Sequence, residues 1–195
     1  MLVNQMGENI RAFLSIDIED TNLLTRITHI QEQLDRQAAK MKLIEQKNIH
    51  FTWRFFGDTP LSKIEDIHQE LLKLKFDSIP IQISGVGAFP NIRKPRVIWV
   101  GVSQNIAKVR ELKQMTDELL NNLSYSVEKK KFIPHATIAR IRTINDRIQL
   151  FENLGSLAGE YVGTMTVTNI RMTKSTLTQS GPIYETLWEI PAQDV

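Results

Sequence analysis

Hydrophobic positions along the chain switch repeatedly between the alternating spacing of strands and the spacing of helices. Residues 10–18 alternate and predict a strand, and apolar residues then recur at helical spacing over 23–34. The first series continues with strand, helix and strand at 49–56, 59–74 and 79–86. After a turn at 90–95 the same order returns, as strand 97–102, helix 106–123, strand 134–141, helix 146–157 and strand 162–172.

The two series match in register, which indicates a duplicated chain. His50 and His135 are 85 residues apart (135 minus 50), and the same shift lays predicted strand on predicted strand. This period is longer than that of solenoid repeats and suggests one duplication of a β-α-β-α-β unit. Repeat 1 then covers about 10–87 and repeat 2 about 96–172, and a further strand over about 182–190 follows a turn at 179–182.

No linker rich in Gly, Ser or Pro separates the repeats. We therefore expect one bilobal α+β domain over 1–195, with antiparallel sheets around a central cleft and helices outside. The alternative is that strands and helices alternate here by chance, as they do in many α+β domains.

Composition narrows the class of protein. With 42% hydrophobic and 24% charged residues, the chain can bury a sizeable core, and its apolar runs are too short to span a bilayer. It contains no cysteine, which removes thiolate chemistry and fits a reducing cytosol, so we expect a cytoplasmic protein. The net charge of +2 does not mark a strong polyanion binder. Basic residues nevertheless cluster at 93–96, at 129–131 and at Arg140 and Arg142. Any one cluster is more commonly solvated loop charge, whereas several clusters near one site would favour a small anionic ligand or a short nucleic acid.

Each repeat carries a His-x-Thr motif at the equivalent position, with His50 and Thr52 in the first and His135 and Thr137 in the second. On a strand, residues two apart share a face, so each histidine lies beside its threonine. Behind the first motif, Ile49, Phe51, Trp53 and Phe55 form an apolar face that should be core. A duplication with twofold symmetry would bring the two His/Thr pairs face to face across the cleft.

Two histidines on either side of one phosphate suit the opening of a cyclic phosphodiester. One group must take a proton from the attacking water, and another must give a proton to the departing sugar oxygen. Histidine titrates near neutrality, so one ring can be neutral while the other is protonated. The hydroxyls of Thr52 and Thr137 can donate to the phosphoryl oxygens. This chemistry requires no metal or other cofactor, and the histidine spacing does not predict a zinc site.

Two arginines are weaker candidates for phosphate binding. Strict alternation places Arg54 on the same face as His50 and Thr52, although a surface arginine is the commoner case. The same rule places Arg140 on the face opposite His135, so that it reaches the phosphate only if the strand bends or bulges.

At these motifs the chain resembles the 2H phosphoesterase superfamily, and most of all the RNA 2′,3′-cyclic phosphodiesterases first described as 2′-5′ RNA ligases. The resemblance covers nearly the whole chain. It includes residues 11–16, 48–57, 87–90, 96–99, 134–140, Ser175, Leu177, Gly181, Pro182 and Tyr184. Departures are mild: Trp53 and Phe56 stand where leucine is common, and Ala136 replaces a larger aliphatic residue.

The resemblance implies a LigT-like bilobal fold and hydrolysis of RNA 2′,3′-cyclic phosphates to 2′-phosphomonoesters. It also implies that His50 is the proton donor and His135 the proton acceptor. We expect RNA ends or small cyclic nucleotides as partners, no membrane, no metal and a monomer.

Other functions remain open. The same site could serve a 2′-5′ RNA ligase, a 2′,5′-oligonucleotide phosphodiesterase or a hydrolase of ADP-ribose cyclic phosphate. A non-catalytic protein that binds RNA ends is the alternative from another class, and the intact histidines argue against it.

Overall fold

The structure of the chain is a computed structural model that describes residues 8–128, 131–179 and 181–194. Lys129 and Lys130 of the second basic cluster, and Ser180 of the predicted turn, lie outside the described residues. Within those ranges, no helix is long and apolar enough to cross a membrane.

The described chain contains nine strands, four α-helices and one short 3-10 helix. The strands are β1 (Asn9–Asp17), β2 (Ala39–Leu43), β3 (His50–Pro60), β4 (Ile79–Phe89), β5 (Val97–Val102), β6 (His135–Ile144), β7 (Tyr161–Val167), β8 (Asn169–Leu177) and β9 (Pro182–Pro191). The α-helices are α1 (Thr21–Gln33), α2 (Leu61–Leu71), α3 (Ile106–Asn121) and α4 (Arg147–Ser156), and the 3-10 helix is Gln46–Asn48.

All nine strands belong to one antiparallel sheet with two similar halves. The order is β7-β4-β5-β6-β3-β1-β8-β9, and β2 pairs with β6 outside this path. The sheet has two halves, β7-β4-β5-β6 and β3-β1-β8-β9. They meet between β3 and β6, which pair at Phe51 and Ala136. The expected antiparallel sheets are therefore the two halves of one continuous sheet.

Strand pairing within each half confirms the duplication. Ala12 on β1 is the partner of Lys174 on β8. The equivalent residues of the other repeat lie 85 positions away: Val97 corresponds to Ala12, and Phe89 corresponds to Lys174. Val97 and Phe89 are likewise partners, on β5 and β4. The last strand of each repeat is thus exchanged, since β4 of repeat 1 lies beside β5 and β8 of repeat 2 lies beside β1.

Two predictions for strands are corrected. The predicted strand at 162–172 is two strands, β7 and β8, which separate at Thr168 and enter different halves of the sheet. Strand β2 was not predicted from the sequence, because Lys40 and Lys42 interrupt a short segment. It forms by pairing with β6, from Ala39 to Leu43.

Helices complete the core on the side of the sheet that the motifs do not face. The apolar residues at helical spacing in α1 and α2 are buried as predicted, for example Ile27, Ile30, Ile64 and Ile67. Helix α1 packs near β7 and β6, while α2 and α3 pack against each other and near β3 and β4. Burial of these apolar stripes is the main stabilising term of the fold.

Strand β3 does not alternate strictly, and this overturns the prediction for Arg54. Leu14 on β1 pairs with Arg54 and Ser15 pairs with Thr52, so the ladder skips Trp53 in a β-bulge. After the bulge the faces exchange: Arg54 is buried, and Phe55, predicted to be core, is 50% exposed. The Arg54 guanidinium donates to Asp117 Oδ1 at 2.9 Å and to the Ser126 carbonyl at 2.8 Å. The prediction that Arg54 faces the cleft is wrong.

The buried Arg54–Asp117 pair leads to a prediction about stability. Asp117, on α3, also binds Lys113, and all three side chains are at least nine-tenths buried. Asp117→Asn removes the anion beside buried Arg54 and leaves buried Lys113 with only the half-exposed Glu128, which should lower the free energy of unfolding by about 3 kcal/mol. We expect a melting temperature roughly 6–12 °C lower. Asp66→Asn, which breaks the exposed pair with Lys63, is the control and should cost less than about 1 kcal/mol. Equal effects of the two substitutions would contradict the structural role of Asp117.

Candidate active site

The junction between the two half-sheets places the two His-x-Thr motifs next to each other. Phe51 and Ala136 are antiparallel partners, and they are equivalent positions of the two repeats because they also differ by 85. Antiparallel pairing at this point sets His50 opposite Thr137 and Thr52 opposite His135. Phe51 and Ala136 point into the core, being 1% and 0% exposed, so the four motif side chains share the other face. The structure therefore brings together the residues that the sequence predicted.

Each histidine ring is oriented by the carbonyl two residues before it. His50 Nδ1 lies 2.9 Å from the Asn48 oxygen, and His135 Nδ1 lies 2.6 Å from the Ile133 oxygen. A carbonyl only accepts, so each Nδ1 carries a proton and donates it. Nε2 of both rings is then left for proton transfer. His50 Nε2 is 3.1 Å from Thr52 Oγ1, whose hydroxyl can donate to the neutral ring or accept from the charged one.

Aromatic side chains hold the two rings in place, and they differ between the two halves. Phe13 stacks on His50 with ring centroids 4.9 Å apart, and Tyr184 contacts the same ring edge-on at 5.2 Å. Phe89 contacts His135 edge-on at 4.7 Å, and Trp99 lies 5.9 Å away. The sequence analysis did not identify these contacts. Their only sequence signal is that Phe13, Phe89, Trp99 and Tyr184 all lie within the segments that carry the resemblance.

A glycine makes room for the aromatic group beside His135. Gly87 on β4 is the partner of Trp99 on β5, and the Trp99 ring lies over it. A Cβ atom at position 87 would come within 2.3 Å of that ring. Any side chain there would push Trp99 away, so the glycine is required by close approach rather than by a turn.

Burial lowers the pKa of both histidines. For His50 and for His135 the loss of hydration on burial is the largest cause, and the positive charge of Arg140 lowers both pKa values further. The carbonyls of Asn48 and Ile133 oppose the shift, because they accept hydrogen bonds from the rings. In the unliganded site the neutral form of each ring is therefore favoured.

Arg140 reaches the site because β6 contains a bulge equivalent to that of β3. On β5, Ile98 pairs with Ala139 and Trp99 pairs with Thr137, so the ladder skips Ile138. The skipped residues Trp53 and Ile138 are 85 positions apart, so the two bulges are equivalent. Each bulge turns the second residue after it onto the cleft face, and these residues are Phe55 and Arg140. The sequence predicted that Arg140 reaches the phosphate site only if its strand bends or bulges, and β6 does bulge before Arg140.

Two of the cavities that border the motifs bear on phosphate binding. One of about 280 Å³ is lined by both threonines of the motifs, His50 and Arg140, together with Lys42 of β2 and Tyr184 of β9. The other, of about 810 Å³, opens beside His135 and is lined by Phe89, Arg96 and Phe132 among others. The smaller cavity gathers the groups suited to a phosphate, whereas Arg54 lines neither.

No group of three or more His, Cys, Asp or Glu side chains is placed to hold a metal ion within residues 8–128, 131–179 and 181–194. The donors gathered at the motifs are imidazole, hydroxyl and guanidinium groups. Hydroxyl and guanidinium groups suit an anion rather than a divalent cation.

A duplicated sheet that presents one His-x-Thr motif from each half, side by side on one face, defines a phosphoesterase of the two-histidine class. The family model described as LigT like phosphoesterase matches residues 17–99 and again residues 100–184. The chain belongs to the LigT-like phosphoesterase family.

Named relatives and solved structures agree with this family. The chain is 35% identical over 178 residues to the RNA 2′,3′-cyclic phosphodiesterase of Methanothermobacter thermautotrophicus, covering 90% of this chain and 95% of that protein. It is also 35% identical to the protein of the same name from Methanocaldococcus jannaschii, covering 92% and 99%. Among solved structures, TT0787 of Thermus thermophilus matches with a TM-score of 0.78 at 19% identity, covering 95% and 99%. E. coli LigT complexed with 3′-AMP matches with 0.75 at 19%, covering 96% and 100%. At these identities the structural matches show the fold.

The position of Arg140 leads to a prediction that does not depend on activity. Because its charge lowers the pKa of both histidines, Arg140→Gln should raise the pKa of His50 and of His135. NMR titration of ring-labelled histidines measures both values. Arg142→Gln, an exposed change two residues along the same strand, is the control and should move neither. Unchanged histidine titrations in Arg140→Gln would show that Arg140 does not face the two rings.

Proposed function

We propose that this chain hydrolyses 2′,3′-cyclic phosphodiester ends of RNA to 2′-phosphomonoesters, with His50 as proton donor and His135 as proton acceptor. The observation that carries the proposal is the Phe51–Ala136 pair, since it sets each histidine of one motif opposite the threonine of the other. The names of the relatives, RNA 2′,3′-cyclic phosphodiesterase, support the same substrate class.

The reaction divides between the two histidines. Neutral His135 takes a proton from water through Nε2, and the water oxygen attacks phosphorus. The bond from phosphorus to the 3′-oxygen breaks on the opposite side, and that oxygen takes a proton from Nε2 of protonated His50. The phosphate stays on the 2′-oxygen. His135 is then protonated and His50 neutral, and proton exchange with solvent restores the starting state.

Thr52, Thr137 and Arg140 act on the phosphoryl oxygens. Charge on these oxygens increases as water adds, and hydroxyl and guanidinium donors already in place stabilise it without reorganisation. Arg140 also attracts the phosphodiester anion. It lines the same cavity as His50 and both threonines, which supports its assignment as a phosphate-binding residue. The donor set accounts for the reaction with the chain's own groups, so we propose that no metal takes part.

Substitution of either histidine tests the two-histidine mechanism. His50→Ala and His135→Ala should each lower the rate about a hundredfold or more, because each removes one of two proton transfers. The measurement is turnover of an RNA that ends in a 2′,3′-cyclic phosphate, with the product phosphate assigned by phosphorus NMR. His29→Ala, an exposed ring paired with Glu32, is the control and should retain the full rate.

Four outcomes of this assay contradict parts of the proposal. A near-full rate in either motif variant would rule out the mechanism. A 3′-phosphate product would reverse the substrate orientation while leaving the site in place. Loss of activity in EDTA, restored by added zinc, magnesium or manganese, would overturn the proposal that no metal takes part. Joining of RNA ends without hydrolysis would favour the ligase alternative.

The lowered histidine pKa values set the pH dependence. The acceptor must be neutral and the donor protonated, so kcat/KM should rise and then fall with pH. Since burial lowers both pKa values in the free enzyme, the maximum should lie on the acid side of about 6.5, the usual pKa of histidine. The bound phosphate anion favours the protonated rings, so kcat should peak at higher pH than kcat/KM. A maximum of kcat/KM well above pH 7 would contradict the burial of the two rings.

A further inference from the structure

The two motifs are duplicated, yet the residues next to the two histidines differ in charge. Asp17, at the end of β1, is the cross-strand partner of His50. The equivalent position in repeat 2, 85 residues later, is Val102, which is 8% exposed. The residue paired with His135 is Gly101. A carboxylate therefore stands beside one histidine and is replaced by apolar groups beside the other.

We propose that Asp17 is the positioning residue that makes His50, rather than His135, the proton donor. This rests on the proposed hydrolysis of a cyclic phosphodiester and deepens it. A nearby carboxylate stabilises the protonated imidazole, and a donor must be protonated before the reaction begins. The two motifs supply equivalent residues, so a charge outside the motifs has to distinguish the two histidines, and Asp17 is that charge.

Arg171 on β8 holds Asp17 in place. Its guanidinium lies 3.1 Å from Asp17 Oδ2, and it also binds Glu19 at 2.5 Å and Glu189 at 2.7 Å. Three carboxylates surround one guanidinium, so the cluster keeps a net negative charge next to His50. Arg171 is itself 13% exposed and fixed by these contacts, so it holds the Asp17 carboxylate in one position at the end of β1.

The other charged groups around His50 do not supply this asymmetry. Arg140 and His135 both lower the pKa of His50, and Asp17 is the carboxylate that raises it. Tyr184 is neutral near pH 7, since burial raises its pKa. A further cavity, of about 310 Å³, is lined by His50 and Asp17, and its other charged side chains are Glu19, Lys47 and Glu185. Glu19 is bound to Arg171, Lys47 to Glu45, and Glu185 lies 3.7 Å from Lys174.

His135 has a different electrostatic environment. The causes that shift its pKa are burial, the Ile133 carbonyl and Arg140, with no carboxylate among the described residues contributing. Glu128 lines the cavity beside His135, but its carboxylate lies 3.0 Å from Lys113. Arg96 and Lys131, which line that cavity too, add positive charge. This environment favours a neutral ring, as the proton acceptor requires.

The test is the pH profile of kcat/KM for Asp17→Asn, with a cyclic-phosphate RNA as substrate. Above both histidine pKa values, the rate depends on how much of the donor is still protonated. Below both, it depends on how much of the acceptor is neutral. If Asp17 supports a donor at position 50, Asp17→Asn should lose about three- to tenfold on the alkaline side of the optimum and keep the wild-type rate on the acid side. This holds whichever of the two pKa values is the higher.

The opposite result overturns the inference. If His50 were the acceptor, Asp17→Asn would gain rate on the acid side and keep the wild-type rate on the alkaline side. An equal loss at every pH would show a structural role only. The control Glu19→Gln removes another carboxylate from the same arginine and should leave the profile unchanged. Asp17→Glu, which keeps the charge, should restore the alkaline limb.

NMR titration of the histidine rings separates this inference from the proposed function. In Asp17→Asn the pKa of His50 should fall while that of His135 stays where it is. The titration needs no substrate and also reports whether the variant is folded. A His50 pKa that does not fall would overturn the inference even if the wild-type enzyme is fully active. A wild-type protein that fails to hydrolyse the cyclic substrate would overturn the proposed function instead.

Discussion

The active site depends on the single antiparallel pairing between Phe51 and Ala136. Elsewhere in the sheet each strand has several partners on its neighbours, but the two halves are joined at this one pair. Both side chains are buried, and a small Ala136 opposes a large Phe51. If this register slipped by one residue, one motif would turn its histidine and threonine into the core. Core packing on one face therefore fixes the positions of the four motif side chains on the other.

The duplication also explains which faces of the sheet the residues after each motif occupy. Both strands bulge at the residue after the threonine, Trp53 in one repeat and Ile138 in the other. Each bulge turns the next residue, Arg54 or Ala139, into the interior and the one after it, Phe55 or Arg140, toward the cleft. Repeat 2 thus places the Arg140 cation at the site, while in repeat 1 the buried Arg54 forms an ion pair with Asp117 of α3.

In the proposed mechanism the two histidines carry out different proton transfers, so the duplicated site has to be asymmetric. The backbone supplies equivalent parts, since both rings donate Nδ1–H to the carbonyl two residues earlier. The asymmetry comes from side chains of other strands. Phe13, Tyr184 and Asp17 surround His50, whereas Phe89 and Trp99 surround His135. The exchange of β4 and β8 between the repeats helps to bring these neighbours into place.

The sequence by itself determined the duplication, most of the strands and helices, and the four motif residues His50, Thr52, His135 and Thr137. These follow from local periodicity and from a repeat distance that can be measured along the chain. The alternating pattern predicted the wrong faces for residues 54 and 55, because a bulge depends on how the neighbouring strand pairs. The single predicted strand at 162–172 failed for a similar reason: its two parts pair with different partners, and nothing in the local pattern marks the change at Thr168.

Only the tertiary structure decided which distant residues reach the site. Arg140 enters the cavity through the bulge, Lys42 lies on a strand held by its pairing with β6, and Tyr184 lies on β9, which joins through β8. The charge environment of each histidine was decided in the same way. A pKa depends on burial and on charges across the fold, and these are fixed by which strands lie side by side. Asp17 lies 33 positions before His50 in the sequence (50 minus 17), and only the pairing of β1 with β3 makes them neighbours.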